Sequence, residues 1–206
     1  MLLVIGNKNY SSWSLRPWLA MKVLGLAFDE VRIPLYREGS KEQILRYSPA
    51  GRVPILRDGK TVVWDSLAIL EYLAERHRQL WPSDSAERAK ARAVSAEMHS
   101  GFAALRQHMS MNIRKRYPGK GRTPEALADV ARIEAIWAEA RGPFLFGKFT
   151  AADAMYAPVV LRLRTYEVEV RQKSYMDAML ALPAMREWIE AAEREAESIP
   201  ELDLYG

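Results

Sequence analysis

Three hydroxyl-bearing residues, Tyr10, Ser11 and Ser12, stand between a short apolar run and the start of a predicted helix. Hydroxyl groups beside a helix N-terminus stabilise an anion, such as a thiolate, through charge-assisted hydrogen bonds and the helix dipole. Serine in front of a helix is also the ordinary N-cap residue. Spacing alone therefore leaves two interpretations open, an anion-stabilising site and a pair of helix caps.

A second candidate anion site lies at Asp65 and Ser66, directly before the apolar residues 67–69. Helix N-termini bind anions through their free N–H groups, but Asp and Ser in this position are also common caps. Upstream, Pro54 follows Val53 in an apolar run that predicts a strand. Because proline forfeits a ladder hydrogen bond, it needs an edge position or another role there.

The elements that position these residues follow from hydrophobic periodicity. The pattern predicts strands over 2–5, 31–35, 53–56 and 61–64. It also predicts a helix through Trp18 and Leu24, with Pro17 in its first turn and Gly25 at its end, a short helix over 40–47, and a helix capped by Asp65 or Ser66. A Ser40 and Gln43 capping box is predicted to start the short helix, and Asp58-Gly59 to turn the hairpin. The order βαβ, α, ββα predicts an α+β unit over residues 1–79.

After the linker Trp81, Pro82 and Ser83, no stretch alternates like a strand. Periodicity predicts helices near 85–115, 124–141, 151–165, 174–181 and 183–196, which would form an all-helical unit over 85–206. Thr150 and Asp153 have the spacing of a capping box at one helix start, which indicates a role in folding.

Composition excludes several classes of function. The 206 residues are 49% hydrophobic and 27% charged, which favours a folded protein with a real core. No apolar run approaches the roughly 20 residues of a membrane span, and the net charge of +4 is interspersed, so neither a membrane nor a nucleic-acid partner is predicted. The absence of cysteine and the separation of the three histidines argue against a metal site, and the lack of cysteine predicts a cytoplasmic location.

With these motifs in place, the chain resembles the cytosolic glutathione S-transferases over nearly its whole length. The serine-type zeta class carries Ser-Ser-Cys-Ser-x-Arg where this chain has Ser-Ser-Trp-Ser-Leu-Arg over residues 11–16. The resemblance implies a thioredoxin-like N-terminal domain followed by an all-helical C-terminal domain. It also implies glutathione as co-substrate, a role in detoxification and a homodimer.

The resemblance assigns roles to the candidate residues. Ser11, ranked slightly ahead of Ser12, would stabilise the glutathione thiolate, and Tyr10 is a third candidate because other classes use a tyrosine there. The implied glutathione contacts are a main-chain pairing at Val53 before a cis Pro54, a γ-glutamyl site at Asp65 and Ser66, and Arg52 near the glycine carboxylate. The expected electrophile pocket contains Tyr10, Trp13, Met98, Phe102, Arg106 and Met109, although a methionine stripe at helical spacing is also typical of core packing.

Two departures from the zeta pattern bear on the reaction. Trp13 replaces the motif cysteine, and Thr165 stands where that class has its substrate-carboxylate arginine, with Arg164 one residue away. The predicted function is therefore a general transferase that conjugates glutathione to a small apolar electrophile. Maleylacetoacetate isomerase-like activity and a non-catalytic binding protein on the same fold are the alternatives.

Overall fold

The computed structural model describes residues 1–205. The first part of the chain forms a four-stranded mixed sheet in the order β2-β1-β3-β4, with three helices. These elements are β1 (Leu2–Ile5), α1 (Ser12–Val23), β2 (Asp29–Arg32), α2 (Ser40–Leu45), β3 (Ile55–Asp58), β4 (Thr61–Trp64) and α3 (Ser66–Arg76). β1 pairs parallel to β2 and antiparallel to β3, and β3 pairs antiparallel to β4. The predicted order of elements is confirmed.

The register of the sheet corrects two strand predictions. β2 lies two to three residues earlier than its alternating pattern suggested, because its partner β1 ends at Ile5, which pairs with Arg32. β3 begins at Ile55, two residues later than predicted, because Pro54 has no N–H to give to the ladder. Val53 and Pro54 therefore lie outside the sheet, joined by a cis peptide bond as the resemblance implied.

The predicted capping box of α2 is wrong. Gly39, with a φ of 77°, is the N-cap, and Ser40 is already inside the helix. The Ser40 hydroxyl donates to the Pro34 carbonyl (2.5 Å) and accepts from the Arg37 N–H (3.1 Å). The Ser40 side chain thus stabilises the loop before α2. Gly39 adopts its positive φ without steric cost because it has no Cβ.

The second part of the chain is helical. Its helices are α4 (Ser85–Ser100), α5 (Ala103–His108), α6 (Pro124–Trp137), α7 (Ala151–Tyr166), α8 (Lys173–Ala181) and α9 (Pro183–Glu193). The single helix predicted over 85–115 is instead two, because the chain breaks at Gly101 and at Phe102, whose φ is 57°. The predictions for α6 and α9 ran three to four residues too far.

α7 is the central helix of the molecule. All of its residues except Arg164 are buried, as expected for a helix packed on every side. Its predicted capping box forms, with the Asp153 carboxylate accepting from the Thr150 N–H (2.8 Å), the Thr150 hydroxyl (3.0 Å) and the Leu145 N–H (3.0 Å). Because α1 packs against α7, the core is continuous between the α+β part and the helical part.

The proposed domain boundaries, 1–79 and 85–206, stay a proposal. The first domain would end inside a 3₁₀ turn at Arg78–Leu80, and Gly206 lies outside the described residues. None of the helices within residues 1–205 has the length and hydropathy needed to cross a membrane. The same residues contain no group of three or more His, Cys, Asp or Glu side chains placed to hold a metal ion.

Candidate active site

Two adjoining cavities form a cleft where the sheet part faces the helical part. The first, named the serine cavity, has a volume of about 510 Å³ and includes both Ser11 and Ser12 in its wall. The second, named the Asp65 cavity, has a volume of about 750 Å³ and includes Asp65 and Ser66. The two cavities share four lining residues, Trp13, Lys41, Arg52 and Val53. The sequence motifs at residues 10–16, 52–54 and 65–66 are therefore brought together.

Ser11 is the N-cap of α1 and is almost completely buried. Its Oγ accepts a hydrogen bond from the Ser14 N–H (3.3 Å) and lies 2.7 Å from the Ser14 Oγ. The Ser14 Oγ in turn accepts from the Gly6 N–H (3.1 Å) at the end of β1. The capping interpretation of Ser11 is thus confirmed, and its place in the cavity wall leaves the anion-stabilising interpretation open alongside it.

Ser12 is held by an arginine that the sequence analysis did not identify. The Arg162 Nη2 donates to the Ser12 Oγ (3.3 Å), while its Nη1 donates to the Met109 carbonyl. Burial, together with the nearby charge of Arg106, lowers the pKa of Arg162 to about 10. Arg162 lies one helical turn before Thr165, whose hydroxyl donates to the Asn112 carbonyl (2.8 Å) away from the cavities. A search one turn either side of position 165 would have found it.

Two guanidinium groups lie over the ring of Trp13. That of Arg16 is 4.4 Å from the ring centroid, and that of Arg106 is 4.9 Å from it. Arg16 is fully buried, with one hydrogen bond to the Ser66 Oγ (3.3 Å) and no partner for its Nε and Nη2 atoms within the described residues. Burial and then repulsion from Arg106 and Arg162 lower its pKa to about 9. The cleft is therefore a region of concentrated positive charge.

Arg106 also stabilises the break between α4 and α5 by hydrogen bonds to the backbone. Its guanidinium donates to the carbonyl groups of Gly101 (3.0 Å) and His99 (3.4 Å) and to that of Met98. These are unsatisfied acceptors at the C-terminus of α4, where a cation is stabilising. Burial lowers the pKa of Arg106. Arg106 lines the serine cavity as predicted, with its position fixed by the backbone of α4.

Asp65 occupies a strained position at the start of α3. Its φ of 74° is in a region that non-glycine residues rarely adopt. One carboxylate oxygen accepts from the Leu67 N–H (2.8 Å), and the other lies 3.3 Å from the His99 Nε2. Asp65 and Ser66, the first residue of α3, line the same cavity.

The remaining predicted glutathione contacts, Arg52, Val53 and Pro54, line the Asp65 cavity beside these groups. Arg52 is exposed, whereas Pro54 is buried. Arg37 and Lys41 add two more cations at the serine cavity. The arrangement offers an acceptor at one end, helix N–H groups in the middle and several cations, which is a binding surface for a molecule with both ammonium and carboxylate groups.

Three residues predicted for the electrophile pocket lie elsewhere. Met98, Phe102 and Met109 belong to the hydrophobic core and line neither cavity. These three side chains pack in the core, which is the ordinary role of an apolar stripe at helical spacing. Of the predicted set, Tyr10, Trp13 and Arg106 line the serine cavity.

The Tyr10 hydroxyl is committed to the C-terminal segment, defined here as residues 194–205. It donates to the Asp203 Oδ1 (2.8 Å) and accepts from the Ile199 N–H (3.3 Å) and the Arg114 Nη2 (3.4 Å). The Asn112 amide donates to the same Asp203 oxygen (2.6 Å). The Tyr10 hydroxyl proton is therefore donated to Asp203 and not to the serine cavity.

A Tyr10→Phe variant is expected to leave the pKa of a bound thiol within about 0.3 units of wild type, because the hydroxyl does not donate into the cavity. Loss of these hydrogen bonds is expected to lower the free energy of unfolding by about 1 kcal/mol. Titration of thiolate absorbance and urea unfolding measure the two quantities. A thiol pKa raised by a full unit would instead make Tyr10 the activating group.

Comparison with known proteins places this geometry. The model of the glutathione S-transferase N-terminal domain matches residues 10–76, and that of the glutathione S-transferase C-terminal domain matches residues 120–191. The chain belongs to the glutathione S-transferase family. Members of this family use glutathione as co-substrate, so the protein is a glutathione-dependent transferase or isomerase with a zeta-like N-terminal motif.

Individual relatives of this chain agree with the family match. It is 28% identical to maleylacetoacetate isomerase from Rattus norvegicus over 87% of each chain. Among solved structures, it superposes with a TM-score of 0.74 on a bacterial maleyl pyruvate isomerase of the zeta class, at 22% identity over 96% of this chain and 100% of that one. A glutathione transferase homologue from Burkholderia with bound glutathione gives a TM-score of 0.72 at 21% identity over 94% and 98% of the two chains.

Proposed function

We propose that the protein stabilises the thiolate of glutathione with the Ser11 hydroxyl and transfers glutathione to a small electrophile that carries a carboxylate. The observation that supports this proposal is the composition of one wall. The hydroxyls of Ser11 and Ser12 share the serine cavity with the guanidinium groups of Arg106 and Arg162. Hydroxyl donors suit a thiolate, and buried guanidinium groups suit a carboxylate.

The residues of the Asp65 cavity fit glutathione. The Asp65 carboxylate would accept from the γ-glutamyl ammonium, and the Ser66 hydroxyl with the first N–H groups of α3 would donate to the γ-glutamyl carboxylate. Val53 lies outside the sheet ladder, so its main-chain groups are available to pair with the cysteinyl unit as an added strand would. Arg52 would hold the glycine carboxylate. The buried Arg16 adds positive charge directly behind Ser66.

The chemical step needs little from the protein beyond charge placement. The Ser11 hydroxyl donates to the sulfur and favours its ionised form, which lowers the pKa of the thiol. A sulfur lone pair then forms a bond to an electrophilic carbon. In a substitution the leaving group departs with its bonding electrons, and in a conjugate addition the displaced pair moves onto a carbonyl oxygen, where Arg162 and Arg106 stabilise it.

The electrophile proposed here differs from the small apolar molecule expected from the sequence. That expectation depended on Met98, Phe102 and Met109, which lie in the core. The serine cavity contains Arg37, Arg106 and Arg162 instead, with Arg52 and Lys41 at its border. No carboxylate among residues 1–205 stands in the wall of this cavity to offset their charge, so an anionic substrate would pair with these cations.

A second function, isomerisation of an unsaturated dicarboxylate by reversible thiolate addition, uses the same residues. The position of Arg162 favours this isomerisation. Thr165 stands where the zeta class has its substrate-carboxylate arginine, and Arg162 supplies a cation beside Ser12 instead. Relatives of this chain are maleylacetoacetate and maleyl pyruvate isomerases. A non-catalytic binding role is the third alternative. The homodimer and the cytoplasmic location stay predictions of the family resemblance and the cysteine count.

The thiolate proposal is tested by ultraviolet titration of glutathione bound to the wild type and to Ser11→Ala, Ser12→Ala and the double variant. The cysteine-free chain adds no thiolate absorbance of its own. We expect the pKa of the bound thiol to lie below its free value and to rise by about one unit in Ser11→Ala, a loss of roughly 1.4 kcal/mol of thiolate stabilisation.

The other outcomes discriminate between the alternatives. A rise confined to Ser12→Ala would transfer the role to Ser12 and its partner Arg162. An unshifted thiol pKa in all four proteins, with glutathione still bound, would contradict the thiolate proposal and favour a binding module.

A further inference from the structure

We propose that Ser14 is a positioning residue that aims the Ser11 hydroxyl proton at the serine cavity. The inference rests on the proposed function, because the Ser11 hydroxyl must point towards the thiolate in order to stabilise it. Ser14 contacts Ser11 but lines neither of the two cavities. Its effect would therefore be exerted entirely through Ser11.

The two serines are joined by a short, buried chain of hydrogen bonds. The Gly6 N–H donates to the Ser14 Oγ at 3.1 Å, and the Ser14 Oγ lies 2.7 Å from the Ser11 Oγ. The Ser14 N–H also donates to the Ser11 Oγ at 3.3 Å. The Ser14 side chain has no solvent exposure, so no water outside the protein competes for its proton.

The direction of the bond between the two hydroxyls follows from counting protons. Ser14 already accepts from Gly6, and the Ser11 Oγ is the acceptor within reach of its hydroxyl in the described residues. If Ser11 donated to Ser14, the Ser14 proton would be buried without a partner, which proteins avoid. Ser14 therefore donates, and the Ser11 oxygen receives both the N–H and the O–H of Ser14.

This arrangement has two consequences for Ser11. Because its oxygen accepts from both groups of Ser14, its own proton is directed away from them and towards the cavity. Because Ser14 is polarised by the Gly6 N–H, each donor in the chain strengthens the next, and the Ser11 hydroxyl becomes a better donor to an anion.

Gly6, the residue directly after β1, leaves little room for a side chain. A Cβ at this position would lie 2.5 Å from the Leu35 Cδ1, the end of a flexible side chain, and 3.2 Å from the Ser11 Cβ. A larger residue would therefore press on Ser11 itself, which favours glycine here. The end of the strand, the first turn of α1 and the candidate thiolate donor form one continuous unit.

The test measures the thiol pKa of bound glutathione by ultraviolet absorbance and the glutathione Kd by calorimetry, in Ser14→Ala, Ser14→Thr and Ser11→Ala. Ser95→Ala is the matched control, since Ser95 is an equally buried helix serine whose hydroxyl has no partner in the described residues. Ser14→Ala is expected to raise the thiol pKa by about half to one unit with Kd changed less than about twofold. Ser14→Thr, which keeps the hydroxyl, is expected to restore most of the shift.

Each outcome decides the matter. A thiol pKa that rises in Ser11→Ala but not in Ser14→Ala would overturn the role of Ser14 and leave the proposed function intact. A thiol pKa unchanged in Ser11→Ala would overturn both. If Ser14→Ala does not fold cooperatively, Ser14→Val replaces it, because valine has the shape of the Ser14→Thr side chain without a hydroxyl and the same rise is expected. An equal rise of the thiol pKa in Ser95→Ala would show that loss of any buried serine has this effect, and would overturn the role of Ser14.

Discussion

Replacing Arg162 by methionine is expected to lower kcat/KM for a carboxylate-bearing electrophile about 30- to 150-fold, the size of a lost charge-assisted hydrogen bond of about 2–3 kcal/mol. Methionine keeps much of the buried volume of Arg162 and removes its charge. The methyl ester of the same electrophile is expected to lose less than about threefold, because it presents no carboxylate. Steady-state kinetics with the acid and the ester measure the two values.

Arg164→Met is the matched control for this comparison. It removes a cation from the same helix, but Arg164 is partly exposed and lines neither cavity. Since the Arg162 Nη1 also donates to the Met109 carbonyl, some loss of stability is expected in Arg162→Met alone. Equal losses with acid and ester would show that the arginine supports the fold and does not recognise the substrate.

The Asp153→Asn variant is expected to lower the free energy of unfolding by about 1–3 kcal/mol near neutral pH, because its amide would face donors that now bond to a carboxylate. Both Thr150 groups donate to one carboxylate oxygen and Leu145 donates to the other. An amide offers one acceptor oxygen where the carboxylate offers two. Urea unfolding followed by circular dichroism measures the difference.

This destabilisation is also expected to depend on pH. Burial raises the pKa of Asp153 to about 6, from an ordinary value of 3.8. A carboxyl group whose pKa is raised on folding binds protons more tightly in the folded state, so its contribution to stability is greatest below the ordinary value and is lost as the pH rises through about 6. The wild-type advantage over Asp153→Asn should therefore shrink by roughly 2 kcal/mol between about pH 4.5 and about pH 7.5.

Asp84→Asn provides a control with the opposite sign. Asp84 is the exposed N-cap of α4, and its hydrogen bond from the Glu87 N–H lowers the pKa of the carboxyl group. Its contribution is present above the ordinary value and is lost as the pH falls, so the wild-type advantage over Asp84→Asn should grow with pH. A gap that grows with pH for Asp153→Asn as well would contradict the assigned pKa direction.

Local signals in the sequence were sufficient for the order of elements and for the three motifs of the cleft. Hydroxyls, a proline and an Asp-Ser pair each stand next to an element boundary, where periodicity changes. The end of a strand that is set by its pairing with another strand cannot be predicted in this way. β2 ends where β1 ends, and that register depends on a pairing that the pattern of residues 31–35 does not contain.

Two features of the cleft, Arg162 and the helix break at Phe102, could not be predicted from the sequence, and both depend on contacts of single side chains. Arg162 is a charged residue inside a helix that is apolar on all sides, and only the position of α1 shows which residue its charge faces. The break at Phe102 has no proline, and it is stabilised by Arg106 reaching back over the turn. Long-range contacts of single side chains cannot be read from periodicity, which reports only the neighbours along one element.

The C-terminal segment shapes one wall of the serine cavity. It contains no regular helix or strand, yet it places Leu202 in the wall of the serine cavity and is fastened by the Ser110 hydroxyl (2.6 Å) and by Arg114. Leu202 therefore owes its position to side-chain hydrogen bonds and not to a ladder or a helix. A substitution of Leu202 is expected to change the shape of the serine cavity while the sheet and the helices keep their positions.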